Sequence, residues 1–163
     1  ILERAKTHHL PTYFISAKDK ERREFDREVT ALLEEKQVDL VLCIGYMRIL
    51  SEEFVDHWYG RVVNVHPSLL PKYPGLMDLD VHQAVLDAGD QESGCTVHLI
   101  DQGVDSGPIL IQKRIPVVPE ETAESLKAKV QPLEGQAFIE LIKRWPMEAI
   151  PQTEFAARQE ASK

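Results

Sequence analysis

The sequence predicts a Rossmann-like α/β domain, and three observations carry that reading. First, short apolar runs alternate along the chain with stretches whose apolar residues recur at helical spacing. Second, Asp39-Leu40-Val41-Leu42-Cys43-Ile44 is continuously apolar after its first residue, as suits a central parallel strand covered on both faces. Third, Arg61-Val62-Val63-Asn64-Val65-His66-Pro67 is a β-branched run that stops abruptly at a His-Pro. Proline disfavours helix at the preceding residue and cannot donate to a ladder, so the strand should end there. With 163 residues the chain forms one domain, long enough to bury a sizeable core.

In chain order, Ile1 to His9 reads as the end of a helix. Thr12-Tyr13-Phe14-Ile15 follows Pro11 as a short strand, and Ser16 to Lys20 is a polar connection. A helix from about Glu21 to Lys36 is marked by Phe25, Val29, Leu32 and Leu33. After the 39–44 strand, Gly45-Tyr46-Met47-Arg48 forms a loop, and Ser51 caps a short helix opening with Glu52-Glu53-Phe54. The strand at 61–65 leads into a loop through Pro67, Pro71, Pro74 and Gly75, and a loop of that length in a compact domain is usually functional. Val81 to Ala88 reads as a helix, and Cys95–Ile100 and Pro108–Val117 as strands. A long helix runs from about Glu121 to Arg144 on a stripe of Leu126, Val130, Leu133, Ala137 and Leu141. Pro132 should kink it or cost a few kcal/mol. The tail, 146–163, is polar and expected to be loosely held.

Composition excludes several functions. A net charge of −8 argues against non-specific nucleic-acid binding and against an anionic membrane surface. No apolar run approaches the ~20 residues of a membrane span. The first residues show no signal-peptide pattern, so a cytoplasmic location is expected. They also lack an initiator Met, so this end is not expected to be the natural start. Cys43 and Cys95 read as buried thiols in a reducing compartment, with no CxxC or zinc spacing.

Alternation places Asn64 and His66 on one side of their strand, at the carboxyl end where ligands bind in open α/β sheets. An amide donor beside a titratable ring suits a developing oxyanion plus a proton. The plainer reading is a strand end with a surface histidine. Asp105 sits between Gly103 and Gly107 in the loop after the 95–100 strand, and reaches His66 if that strand neighbours 61–65. There it would favour and orient an imidazolium; otherwise it makes an Asx turn. His98 reads as a core histidine, and His8, His9, His57 and His82 as surface residues. A His66/His98/Asp105 metal site is the minor alternative, and no metal is expected. There is no GxGxxG and no P-loop.

Asn64-Val65-His66-Pro67-Ser68-Leu69-Leu70-Pro71, continued by Lys72-Tyr73-Pro74-Gly75, resembles the signature of the folate-dependent formyltransferases. The match is closest to the phosphoribosylglycinamide branch. It extends to Gly45–Leu50, to Gly94-Cys95-Thr96-Val97-His98, to Asp105-Ser106-Gly107-Pro108, and to Val130-Gln131 with Glu134, so it spans about Leu2 to Trp145. The resemblance implies a formyltransferase domain over 1–145, with a mostly parallel sheet and flanking helices. It implies transfer of a formyl group from 10-formyltetrahydrofolate to the amine of glycinamide ribonucleotide, in purine biosynthesis. Asn64, His66 and Asp105 would be the catalytic trio. Met47, Arg48, Ile49, Leu50, Val55, Asp101 and Val104 would surround the folate. Gln131 and Glu134 would face the acceptor, and Ser68 and Lys72 its ribose or phosphate. The partners would be these two small molecules, without nucleic acid or membrane, for a monomer or homodimer.

The family begins with a strand and a glycine-rich phosphate loop, so the chain reads as N-terminally truncated, with the first βαβ unit missing. Met77-Asp78-Leu79-Asp80 stands where close relatives often have histidines. Two alternatives stay open: a formyltetrahydrofolate hydrolase or other folate formyltransferase sharing the trio, and an inactive remnant that only binds folate or a partner.

Overall fold

The computed structural model describes residues 2–145. The predicted tail at 146–163 lies outside the described residues. Five helices and four strands follow in chain order: α1 (Leu2–Thr7), α2 (Arg22–Glu35), β1 (Val41–Cys43), α3 (Glu52–His57), β2 (Val62–His66), α4 (Asp78–Asp87), β3 (Glu92–Leu99), β4 (Ile109–Pro116) and α5 (Ala123–Arg144). The strands form one sheet in the order β1-β2-β3-β4.

The α/β class holds, but the sheet is mixed rather than mostly parallel. Among the described residues only β1 and β2 run parallel; β2–β3 and β3–β4 are antiparallel. The short β3–β4 connection explains one of these pairings, because parallel neighbours need a longer crossover. Among the described residues the 39–44 strand stands at one end of the strand order. β1 has three residues and pairs only with β2 among the described residues, with Val41 and Leu42 half-buried. β2 and β3 take the middle, and β3 is buried from Ser93 to Leu99. Thr12–Ile15 forms no strand: it finds no ladder, and Tyr13 and Phe14 are exposed.

Two apolar clusters lie under the helices. The larger joins Val63, Val85, Cys95, Val97, Leu99 and Ile111 to Leu126, Val130, Ala137, Phe138 and Leu141 of α5. Each fully buried aliphatic side chain stabilises by about 1.5–3 kcal/mol. The smaller gathers Cys43, Phe54, Trp58 and Val62. Local signals fix the helix ends. Ser51 accepts from the Phe54 N–H, and Thr122 and Ser125 form a reciprocal capping box at the start of α5. α5 continues through Pro132. Pro132 is exposed, and so is Ala128, whose carbonyl loses its helical donor and can turn to water instead. α4 starts at Asp78, three residues before the expected position, with Asp78 itself at φ +53°.

Candidate active site

The β2–β3 register builds the centre of the site. Asn64 lies opposite His98, and His66 opposite Thr96. Paired residues of neighbouring strands share a face, so four polar side chains meet at the carboxyl end of β2. His66 is buried, not the surface residue of the plainer reading.

The proline-rich loop folds back over this end and is tied down at several points. Thr96 Oγ1 accepts from Leu70 N at 3.0 Å and donates to Ser68 O at 2.7 Å. Ser68 Oγ donates to Lys72 O at 2.6 Å. Asp90, after α4, accepts from Lys72 Nζ at 2.7 Å and from Tyr73 Oη at 2.9 Å. The loop thereby delivers two backbone groups. The Tyr73 carbonyl lies 2.8 Å from His66 Nε2, and Gly75 N–H donates to Asp105 Oδ2 at 2.8 Å.

Asp105 arrives from the β3–β4 loop in a left-handed conformation, φ +51°. Gly107 makes that loop possible, because a Cβ there would stand 1.9 Å from the Leu99 carbonyl oxygen. Asp101 braces the turn, accepting from Gly103 N at 2.9 Å and Ser106 Oγ at 2.7 Å. Asp105 Oδ2 then lies 3.1 Å from His66 Nδ1, and Oδ1 lies 3.4 Å from His98 Nε2. His98 Nδ1 meets Leu99 O at 2.8 Å.

Donor counting favours a doubly protonated His66 ring. Its two nitrogens face a carboxylate and a carbonyl, and both partners only accept. The ring satisfies both when it is the imidazolium. Burial alone would raise the Asp105 pKa, but hydrogen bonds from His66 and Gly75 N–H, with His98 Nε2 nearby and the His66 charge, hold it well below the usual carboxylate range. Asn64 lines the cavity, and its amide makes no side-chain hydrogen bond among the described residues. The site therefore presents an ionised pair beside a free amide donor.

These groups open on a cavity of about 1000 Å³. Met47, Arg48, Ile49, Leu50 and Val55 line one end, with Asp101 and Val104 from the β3–β4 loop. Arg48 stacks over the Phe25 ring at 4.8 Å. Gln131 and Glu134 of α5 line it as well. Burial raises the Glu134 pKa, opposed by the charges of His66 and Lys127. Ser68 and Lys72 are not on the cavity wall; they are committed to the loop bonds described above.

His82 departs from expectation. It is buried on α4 and lines the cavity, whereas His8, His9 and His57 are exposed. Nothing in its flanking sequence separates it from a surface histidine, although it lies on the Val81–Val85 side of the helix. Asp78 and Lys127, also on the cavity wall, went unremarked as site residues, as did the Tyr73 carbonyl and Gly75 N–H, which no side-chain motif reveals. Among the described residues no group of three or more His, Cys, Asp or Glu is placed to hold a metal; His66 and His98 aim at the Asp105 carboxylate itself. Both cysteines are free and buried, and burial pushes the Cys43 thiol up to about 11 and the Cys95 thiol to about 12. No helix among the described residues is long and apolar enough to cross a membrane.

The model of the formyl transferase family matches residues 1–142. The trifunctional purine biosynthetic protein adenosine-3 of Drosophila melanogaster is 47% identical over 138 residues, 84% of this chain and 10% of that protein. The phosphoribosylglycinamide formyltransferase of Escherichia coli is 39% identical over 145 residues, 88% of this chain and 66% of that protein. The solved phosphoribosylglycinamide formyltransferase of Coxiella burnetii superposes with a TM-score of 0.81 at 35% identity, covering 88% of this chain and 67% of that one. The chain thus spans a tenth of the fly protein and about two thirds of the bacterial ones.

Proposed function

The chain belongs to the formyl transferase family, and from that premise we propose that it transfers the formyl group of 10-formyltetrahydrofolate to the amine of glycinamide ribonucleotide, a step of purine biosynthesis. One observation carries the reading: an Asp105–His66 ion pair at 3.1 Å beside the unengaged amide of Asn64, all on one cavity wall.

The chemistry follows from that arrangement. The neutral amine attacks the formyl carbon, and the carbonyl electron pair moves onto oxygen. With Nε2–H held by the Tyr73 carbonyl, the Nδ1–H of His66 is the donor that Asp105 and the oxyanion share. The Asn64 amide supplies the second oxyanion donor. The ammonium proton of the adduct passes through the Asp105 carboxylate, by way of water, to N10 of the folate. The C–N10 bond then breaks, leaving tetrahydrofolate and the formylated amide. The apolar wall of Met47, Ile49, Leu50, Val55 and Val104 suits the pterin ring, with Arg48 and Asp101 at its edge. The Glu134 carboxyl, with Gln131, suits the amine-bearing acceptor.

The test is product analysis by mass spectrometry after mixing the chain with both substrates. It is run on the chain alone and on the chain joined to the complementary segment of the Escherichia coli relative. Formylated ribonucleotide formed in either form supports the reading. Formate released without ribonucleotide dependence would replace it with a hydrolase.

A further inference from the structure

We propose that His82 is an acceptor-recognition residue, its ring hydrogen-bonding a sugar hydroxyl of the ribonucleotide while Lys127 supplies a neighbouring cationic donor. The inference deepens the proposed function and rests on it.

Two helices bring the groups together. On α4, Asp78 and His82 are four residues apart and share a face. On α5, Lys127, Gln131 and Glu134 recur at four and three residues and share another. α4 packs on α5, and all five residues line the cavity. Lys127 Nζ pairs with Asp78 across the two helices. One carboxylate leaves further donors of the ammonium unused.

His82 is 2% exposed, and its Nδ1 has no hydrogen-bond partner. With Nδ1 sealed from solvent, the ring's other nitrogen, Nε2, is the one left to meet a ligand in the cavity that His82 lines. Burial lowers the His82 pKa, as do the charges of Lys127 and His66, against the opposing pull of Asp78. A neutral imidazole both donates and accepts, which matches a hydroxyl better than a second cation would. Placement agrees with the acceptor's length. The attacking amine belongs beside Asn64, His66 and Glu134. From Glu134 to Lys127 the α5 axis advances about 10 Å, enough to carry the contacts from the amine out to the sugar.

The experiment measures binding of glycinamide ribonucleotide and, separately, of tetrahydrofolate by calorimetry to the parent chain, His82→Leu, His82→Gln and Lys127→Met. The expected result is about tenfold weaker ribonucleotide binding in His82→Leu. His82→Gln should restore most of that loss, because its amide can also donate and accept. Tetrahydrofolate binding should stay within about twofold of the parent, and the ligand-free melting temperature of His82→Leu should not fall, since no hydrogen bond is lost. In the parent, the imidazole ¹⁵N shifts of His82 should move on adding ribonucleotide, a readout that survives misfolding of any variant. Unchanged shifts, or ribonucleotide binding by His82→Leu equal to the parent's, would overturn the inference alone. The titrations are run on the chain alone and on the chain joined to the complementary segment; tetrahydrofolate binding with no ribonucleotide binding in either form would overturn the proposed function and this inference with it.

Discussion

The sheet has two unlike flanks. On one side β3 and β4 lie against α5, α5 lies against α4, and β3 is buried over seven consecutive residues. On the other, β1 is three residues long, and Phe14, Met47 and Ile49 are 80%, 65% and 70% exposed. The charged machinery belongs to the junction of β2 with the buried flank. His66, His98 and Asp105 are held there by strand register, a glycine-dependent turn and a stapled loop. The apolar wall assigned to the folate belongs to the open flank. Groups that must hold charge against solvent are fixed in advance, as electrostatic stabilisation demands.

The difference can be broken or sharpened by substitution. Asp105→Asn should have the largest effect, because it removes the carboxylate that accepts from His66 and Gly75 N–H together. Formyl transfer should fall about 10²–10⁴-fold, read in steady-state assays, with tetrahydrofolate binding kept. A rate near the parent's would detach the chemistry from the buried flank. Next comes Gly107→Ala, which drives a methyl against the Leu99 carbonyl. Urea unfolding should show a loss of about 2–4 kcal/mol; unaltered stability would mean that the β3–β4 loop is not held as described. Ile49→Ala, on the open flank, should weaken tetrahydrofolate binding by about 1 kcal/mol and leave the unfolding midpoint unchanged. A large stability loss there would erase the contrast between the flanks.

The smallest effect concerns pH. His82 has its folded pKa lowered, first by burial and then by Lys127. Below the unfolded value of about 6.5, the unfolded chain binds a proton that the folded chain resists, so stability falls as pH drops from there toward the folded pKa. Subtracting the stability of His82→Leu from that of the parent isolates this slope from Glu134, whose raised pKa acts with the opposite sign. A difference flat with pH would mean that His82 titrates as it does in the unfolded chain.

The buried flank was the more legible in sequence. The apolar stripe of α5 and the strand ending at His66 are local signals, as is the Ser51 cap of α3 on the other flank, and each appears where periodicity and side-chain chemistry put it. Strand direction was not local: nothing in residues 92–116 alone says that β3 turns antiparallel to β2. Asp39–Ile44 reads as central because it is apolar; among the described residues its strand pairs with β2 alone, and Cys43 lines the cavity. Glu92, Ser93 and Gly94 extend β3 without any apolar pattern, through their pairing with β4. At the site, the family resemblance made a trio of Asn64, His66 and Asp105; their individual places were readable, from strand alternation and glycine spacing. The Tyr73 carbonyl and Gly75 N–H were not, because backbone groups carry no residue-type signal. The burial of His82 depends on α5, more than forty residues away in the chain.

The measurement that tests the central claim most directly is the single-turnover rate of formyl transfer to glycinamide ribonucleotide in His66→Ala, with both substrates saturating. It uses whichever form of the parent, alone or joined to the complementary segment, is active. If the Asn64–His66–Asp105 cluster carries the chemistry, the rate should fall by at least about 10³-fold while tetrahydrofolate still binds. A rate within tenfold of the parent's would place the chemistry elsewhere and contradict the account.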